Sequence, residues 1–178
     1  IHGGTFNVAG QAGFSIFQYA DVTFGTYGQK EQININGGYA AVAIEMRHET
    51  DTSVKIYSGD FTASNTSGGV DAIWYGNNYA TLWIYDGTFT SHVRSGLYFY
   101  VSPEESVRIS GGTFNGGTRA IGDQSGSAYF YNNGWGNSYI IEAGYSAYNV
   151  VSNIEQEISL YERVADSGAT TIRVHKIS

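Results

Sequence analysis

Asp60 and Asp86 are the residues in this 178-residue chain whose chemistry is easiest to name. Each lies beside a glycine-containing phrase, in near-equivalent places one repeat apart, with Lys55 and Arg108 on the same set of strands. Two carboxyl groups held about 5–10 Å apart can hydrolyse a glycosidic bond. Carboxylates that hold Ca²⁺ beside a basic side chain would instead suit a polysaccharide lyase. Asp60, Asp86 and Arg108 are the catalytic set of that reading, and Ca²⁺ is the only cofactor it admits. A plainer account competes with it. Asp beside a turn commonly bonds its own backbone, and Asp71, Asp123 and Glu45 lie at similar turn or outward positions.

Other chemistries find less support. His2, His48, His92 and His175 are scattered without metal-ligand spacing. There is no cysteine, hence no disulfide framework or thiolate site. No Gly-x-Ser-x-Gly elbow occurs, and Gly111-Gly112 lacks the Lys-Ser/Thr of a phosphate loop. The aromatic residues offer a non-catalytic alternative. Tyr57, Trp74, Trp83, Tyr85, Tyr98 and Tyr100 all fall at outward positions of the strands described next. Such side chains present apolar faces with polar tips, suited to sugar rings or to a protein surface. They also support one another between neighbouring strands.

The elements that must position these residues are read from an internal repeat. It is clearest as Val107-Arg108-Ile109-Ser110-Gly111-Gly112-Thr113-Phe114. Copies begin at Ile1, Val54 and Leu82, with a weaker one at Ile33-Asn34-Ile35. The anchor isoleucines Ile1, Ile35, Ile56, Ile84 and Ile109 are spaced by 21 to 34 residues, and Tyr131-Asn132-Asn133-Gly134-Trp135 is a candidate sixth copy. A second strand follows each phrase: Phe14–Phe17, Val42–Glu45, Asp71–Trp74, Tyr98–Tyr100 and Arg119–Gly122. Nowhere is there a sustained 3.6-residue period. The pattern predicts an all-β parallel β-helix of five to six coils over residues 1–149. A β cap over residues 150–178 closes it, with Glu157–Val164 and Thr171–Ile177 as a hairpin around Asp166-Ser167-Gly168. Val22-Thr23-Phe24 is an extra strand-like piece in the first coil.

Alternation assigns Val54, Ile56, Leu82, Ile84, Val107 and Ile109 to the interior, with Phe6, Phe61, Phe89 and Phe114 stacked behind the glycine bend. Thr5 and Asn7, Asp60 and Thr62, Thr88 and Thr90, and Thr113 and Asn115 then form a polar stripe. The stripe is similar to the surface of ice-binding solenoids only at Thr88-Phe89-Thr90, so ice binding is a minor alternative.

Bulk properties narrow the partners. Net charge is -7 without a basic run, which argues against nucleic acid. No apolar run approaches a membrane span of roughly 20 residues. The chain begins at Ile1 and reads as a mature protein or excised domain, with neighbouring domains of a larger protein expected.

The Ile-Ser-Gly-Gly-Thr-Phe phrase at 109–114, with its copies at 1–6, 56–61 and 84–89, resembles the repeat of right-handed parallel β-helix domains, related in backbone to pectate lyases, in bacterial surface and adhesin-like proteins. The resemblance covers roughly residues 1–136. It implies a secreted or cell-surface module that acts as a stiff spacer or as a binding face for glycan or host protein. No lyase or polygalacturonase motif can be placed on the chain. Shared fold does not carry chemistry with it, so the favoured expectation is non-catalytic. A carbohydrate-active enzyme on acidic polysaccharide is the alternative.

Overall fold

A computed structural model describes residues 1–17, 19–45, 51–134 and 138–178. The chain winds into a parallel β-solenoid with three strands to a turn, one on each of three faces. The first turn is β1 (Gly4–Val8), β2 (Ala12–Ile16) and β3 (Asp21–Phe24); the second is β4 (Ile33–Gly37), β5 (Ala40–Ile44) and β6 (Thr52–Ile56). The third is β7 (Asp60–Ala63), β8 (Asp71–Tyr75) and β9 (Ala80–Ile84), and the fourth is β10 (Thr88–Ser91), β11 (Ser95–Phe99) and β12 (Val107–Ile109). A further turn is opened by β13 (Gly112–Gly116) and β14 (Arg119–Asp123) and closes only through an isolated parallel bridge from Ile109 to Ile141.

About four turns are therefore complete, fewer than the five or six expected, because Ile1 precedes the first strand and the turn opened by β13 acquires no third strand. The register of the second turn also differs from the expectation. Ile35 does not occupy the place of Ile56. It pairs with Phe6 on one side and Phe61 on the other, so it belongs to the phenylalanine column. Phe24 is the true counterpart of Ile56. The extra strand-like piece Val22-Thr23-Phe24 is thus the ordinary third strand of the first turn. Tyr131–Gly134 forms no strand, and Trp135 of the candidate sixth copy lies outside the described residues, as does His48.

The second strands align as Phe14↔Val42↔Ile73↔Leu97↔Ile121; the fourth begins at Ser95 rather than Tyr98 and leaves Tyr100 just past its end. Val54, Ile56, Leu82, Ile84, Val107 and Ile109 are buried, as alternation requires. Phe61, Phe89 and Phe114 stack at centroid spacings of 5.1 and 4.9 Å. Phe6 departs from the expectation of burial and is 37% exposed. It stands at the end of its column, and its ring leans edge-on against Phe14.

The polar stripe forms on the first face and gains members. Asn34 donates to Thr5, Asn36 donates to Asn7, and Asn115 donates to Thr90. Asn34 and Asn36 belong to the stripe because their strand aligns with β1 and β7.

Two glycine pairs make the tightest corners, Gly37-Gly38 between β4 and β5 and Gly116-Gly117 between β13 and β14. A Cβ on Gly116 would run into the carbonyl of Arg119 and also crowd that of Arg94. Both obstacles are backbone and cannot swing aside. Gly116→Ala is expected to cost about 1–3 kcal/mol as overpacking, read as a lowered urea midpoint. Ala63→Gly, at an aligned position whose following link is longer, should cost less.

The C-terminal segment ends the parallel stack. β15 (Tyr145–Val151) and β16 (Ile154–Glu157) form a hairpin, turning through Ser152 and Asn153 at φ of 52° and 64°. β17 (Thr171–Lys176) inserts between β13 and β15, antiparallel to both. The hairpin is therefore not the one drawn from sequence. Beyond Glu157 the stretch to Val164 forms no strand. Its alternation misleads because Ile158 and Val164 are buried from a loop and a 3-10 turn (Val164–Asp166), while Leu160 is 51% exposed. β17 covers the last parallel edge with an antiparallel pairing to β13, which answers the edge problem of a solenoid.

Candidate functional site

The corner between the third and first faces holds a concavity built from several turns. Tyr57 and Tyr85 leave the solenoid just past β6 and β9. Their backbone N–H groups donate to Phe24 and Ile56 of the preceding turns, both at 2.8 Å. That rung-to-rung bonding sets the two side chains one above the other, with ring centroids 4.5 Å apart and planes inclined by 22°. Tyr27, from the loop joining β3 to β4, meets both rings edge-on at 5.8 and 6.3 Å. Burial, with Tyr57 alongside, pushes the Tyr85 hydroxyl above its usual range, so it stays a neutral donor at physiological pH.

The loop that carries Tyr27 is tied down at several points. Gly25 N–H donates to Ile1 O at 2.8 Å, the Thr26 hydroxyl donates to Glu31 Oε1 at 2.9 Å, and Glu31 N–H donates to Ser58 Oγ at 3.3 Å. Gly25 and Gly28 have φ of 81° and 75°, which lets the loop turn back over the corner. Beneath it lies a hollow of about 510 Å³ lined by Lys30, Glu31, Asp60, Asp86 and the polar stripe. A second hollow of about 300 Å³ holds Tyr27, Tyr57, Tyr85 and Ser110, and shares Lys30 and Asp86 with the first. The two form one trough with a polar floor and a tyrosine wall.

Of the sequence-derived carboxylates, Asp60 and Asp86 thus line the same hollow. Both are exposed. Asp86 Oδ1 also accepts from Gly87 N–H at 2.8 Å, the turn bond that its position suggested. Arg108 lies elsewhere, on the third face. Its guanidinium covers the Tyr139 ring at 4.0 Å and donates to the carbonyls of Val107 and Tyr139. Among the described residues no group of three or more His, Asp or Glu side chains is arranged to hold a metal ion.

The six aromatics fall in three places. Tyr57 and Tyr85 wall the trough. Trp83 stands on the third face, 40% exposed, with the Lys55 ammonium 5.5 Å from its ring. Trp74, Tyr98 and Tyr100 share the second face. Trp74 and Tyr100 have centroids 5.5 Å apart, and the indole lies across Gly76, where a Cβ would strike it. Tyr98 carries the Arg94 guanidinium on its ring at 3.8 Å and donates to Gln124 Oε1 at 2.8 Å. These second-face rings are committed to their neighbours, whereas Tyr27 in the trough is 76% exposed.

No family model, curated protein or solved structure matches the chain. The site must be read from its own residues.

Tyr27, Lys30 and Glu31 were not singled out from sequence. They sit in the irregular first coil, and its extra length was the one visible signal. No helix among the described residues is long and apolar enough to cross a membrane.

Proposed function

We propose that this chain is a non-catalytic extracellular module of a bacterial surface protein of the adhesin-like kind, in which stacked turns act as a stiff spacer and present a glycan-binding trough. The observation that carries this is the Tyr57–Tyr85 stack, with Tyr27 edge-on, rising beside a hydrogen-bonding floor. A sugar ring has an apolar face and a polar rim. The stack and the floor offer matching surfaces, already ordered by the fold, so little entropy is lost on binding.

The test is a glycan array read with the native chain, Tyr57→Ala, Tyr85→Ala and, as a comparison on another face, Trp74→Ala. Loss of one ring contact of about 1 kcal/mol weakens binding roughly fivefold. Each trough variant is expected to show that loss, while Trp74→Ala binds like the native chain. Signals that survive both tyrosine changes would remove the trough from the reading.

A second reading has one observation in its favour, the presence of Asp60 and Asp86 in a single hollow. A hydrolase on polysaccharide would use them as its carboxyl pair. A lyase would also need Arg108, which is bound to Tyr139 on another face. Turnover of pectin, alginate or neutral polysaccharides, with and without Ca²⁺, that is abolished by Asp60→Asn or Asp86→Asn would establish an enzyme.

A further inference from the structure

The trough does not end at Tyr85. Tyr145, on β15, lines the second hollow and also a third, of about 470 Å³, between the last turn and the C-terminal sheet. That third hollow is walled by Tyr131, Tyr139 and Leu160 and is more apolar than the first. Neighbouring hollows share lining residues, Lys30 and Asp86 between the first and the second and Tyr145 between the second and the third.

The fold fixes their direction. Tyr57, Tyr85, Ser110 and Glu142 form one column, each N–H donating to the carbonyl of Phe24, Ile56, Ile84 and Ile109 respectively, one turn back. Strands repeat about 4.8 Å apart, so the column covers roughly 14 Å along the solenoid axis. Within the column the rings are Tyr57 and Tyr85, and beyond Ser110 the rings of Tyr145, Tyr131 and Tyr139 line the third hollow.

The charge along the trough has one dominant sign. Glu31, Asp60, Asp86, Glu142 and Glu157 line it, against Lys30 alone. Arg108 Nε approaches Glu142 Oε2 at 4.0 Å while its Nη1 donates to the carbonyls of Val107 and Tyr139, so it answers Glu142 at one edge and leaves the other carboxylates of the trough to Lys30. A chain of uronic acids laid in this trough would meet fixed carboxylates along its length, with no array of cations to answer it. The net charge of -7 adds to that repulsion.

Building on the glycan-binding reading, we infer that the ligand is an extended, carboxylate-free polysaccharide chain lying along the solenoid axis through all three hollows. Each further sugar meets a further ring, so affinity climbs with chain length until the trough is filled. Acidic chains are rejected by charge, and the rejection fades as salt screens it.

Calorimetric titration of the full chain tests this, using cello-, xylo-, manno- and N-acetylchito-oligosaccharides from disaccharide to hexasaccharide. Hexagalacturonate, as free acid and as methyl ester, tests the charge on a constant backbone. In at least one neutral series affinity should rise about tenfold or more from dimer to hexamer, the gain of one or two added ring contacts. Tyr145→Ala, which removes the ring shared by the second and third hollows, should abolish most of that gain. Leu160→Ala, at an exposed position that does not threaten folding, should reduce it in the same way. The methyl ester should bind better than the free acid at low salt, by a margin that Asp60→Asn with Asp86→Asn narrows. Affinity independent of length, or tighter binding of the free acid, would overturn the extended neutral chain and leave glycan binding itself standing. Binding by none of these oligomers would sink both.

Discussion

Phe89→Ala is expected to remove about 3–5 kcal/mol of stability, the cost of truncating a fully buried phenylalanine and leaving a cavity. Phe89 is 0% exposed and sits between Phe61 at 5.1 Å and Phe114 at 4.9 Å, both rings nearly parallel to its own. Removing it breaks two stacked contacts at once and leaves the rings above and below facing a void. The backbone cannot collapse to fill it, because the rungs on either side are held at fixed spacing by parallel pairing with β7 and β13. Domains of this size commonly hold only about 5–15 kcal/mol in total. A solenoid passes stability from each turn to the next, so a weakened fourth turn uncouples the C-terminal sheet from the turns before it. Urea denaturation followed by tyrosine fluorescence should therefore show a much lower midpoint, and a broader or two-step transition. Phe6→Ala is the internal control. Its ring is already 37% exposed, and its loss should cost no more than about 1–2 kcal/mol. Equal costs at the two positions would mean that column packing does not carry the fold.

That column was the most legible part of the chain, and the reason is geometric. A residue with positive φ must precede each Phe-bearing strand, and Gly4, Gly59, Gly87 and Gly112 all take φ between 110° and 132°. At Gly87 a Cβ would lie 3.0 Å from Gly59 O. Backbone demand and core demand thus fall at fixed offsets and leave a visible phrase. Where the demand is met differently, the phrase misleads. In the second turn Ile33 stands at the glycine's register position and Ile35 at the phenylalanine's. The aromatic volume moves to the third face of the first turn, where Phe24 packs edge-on against Phe61 at 5.4 Å and Phe14 at 5.5 Å. Interiors conserve volume more strictly than position, so a phenylalanine and an isoleucine exchange columns and the core stays filled. A reading by pattern matches Ile35 with Ile56 and leaves the strand of Phe24 as an extra piece.

The trough was legible only in part. Outward alternation is local and placed Tyr57, Tyr85, Asp60 and Asp86 on the surface. Which outward residues share a concavity depends on loops. Tyr27 and Lys30 arrive from one that is tied down by Glu31 and Ser58, and Tyr145 arrives from an antiparallel sheet whose pairing spans the chain from β13 to β17. Those contacts follow no repeat, so no period announces them.

The same limit applies to Asp71, which reads from sequence as a turn carboxylate and is in fact buried at 1% exposure. It is held by Arg94 from the next turn, through Nε at 2.9 and 3.0 Å and through Nη2, and by the N–H of Ser95 at 3.2 Å. Arg94→Ala is expected to cost about 3 kcal/mol at pH 7, the low end of the penalty for orphaning a buried charge. The low end applies because the Arg94 side chain keeps 30% exposure. The pH dependence separates charge from packing. Burial pushes the Asp71 carboxyl above its ordinary value, and the hydrogen bonds and charge of Arg94 pull it back only in part. A raised folded-state value means that the ionised carboxylate burdens the fold. That burden is whole above the folded value and is relieved as pH falls through it. It vanishes below the unfolded value near 3.8. Without Arg94 the folded value climbs further, so relief begins at higher pH in the variant than in the native chain. The stability gap between them should therefore narrow as pH is lowered from 7 towards 4, leaving only the packing that Arg94 lends to Tyr98 and the Gly69 loop. Pairing Arg94→Ala with Asp71→Asn should close most of the gap at pH 7 as well, because an amide leaves no buried charge to orphan. A gap that stays constant with pH, or that survives Asp71→Asn in full, would show that Arg94 acts by packing alone.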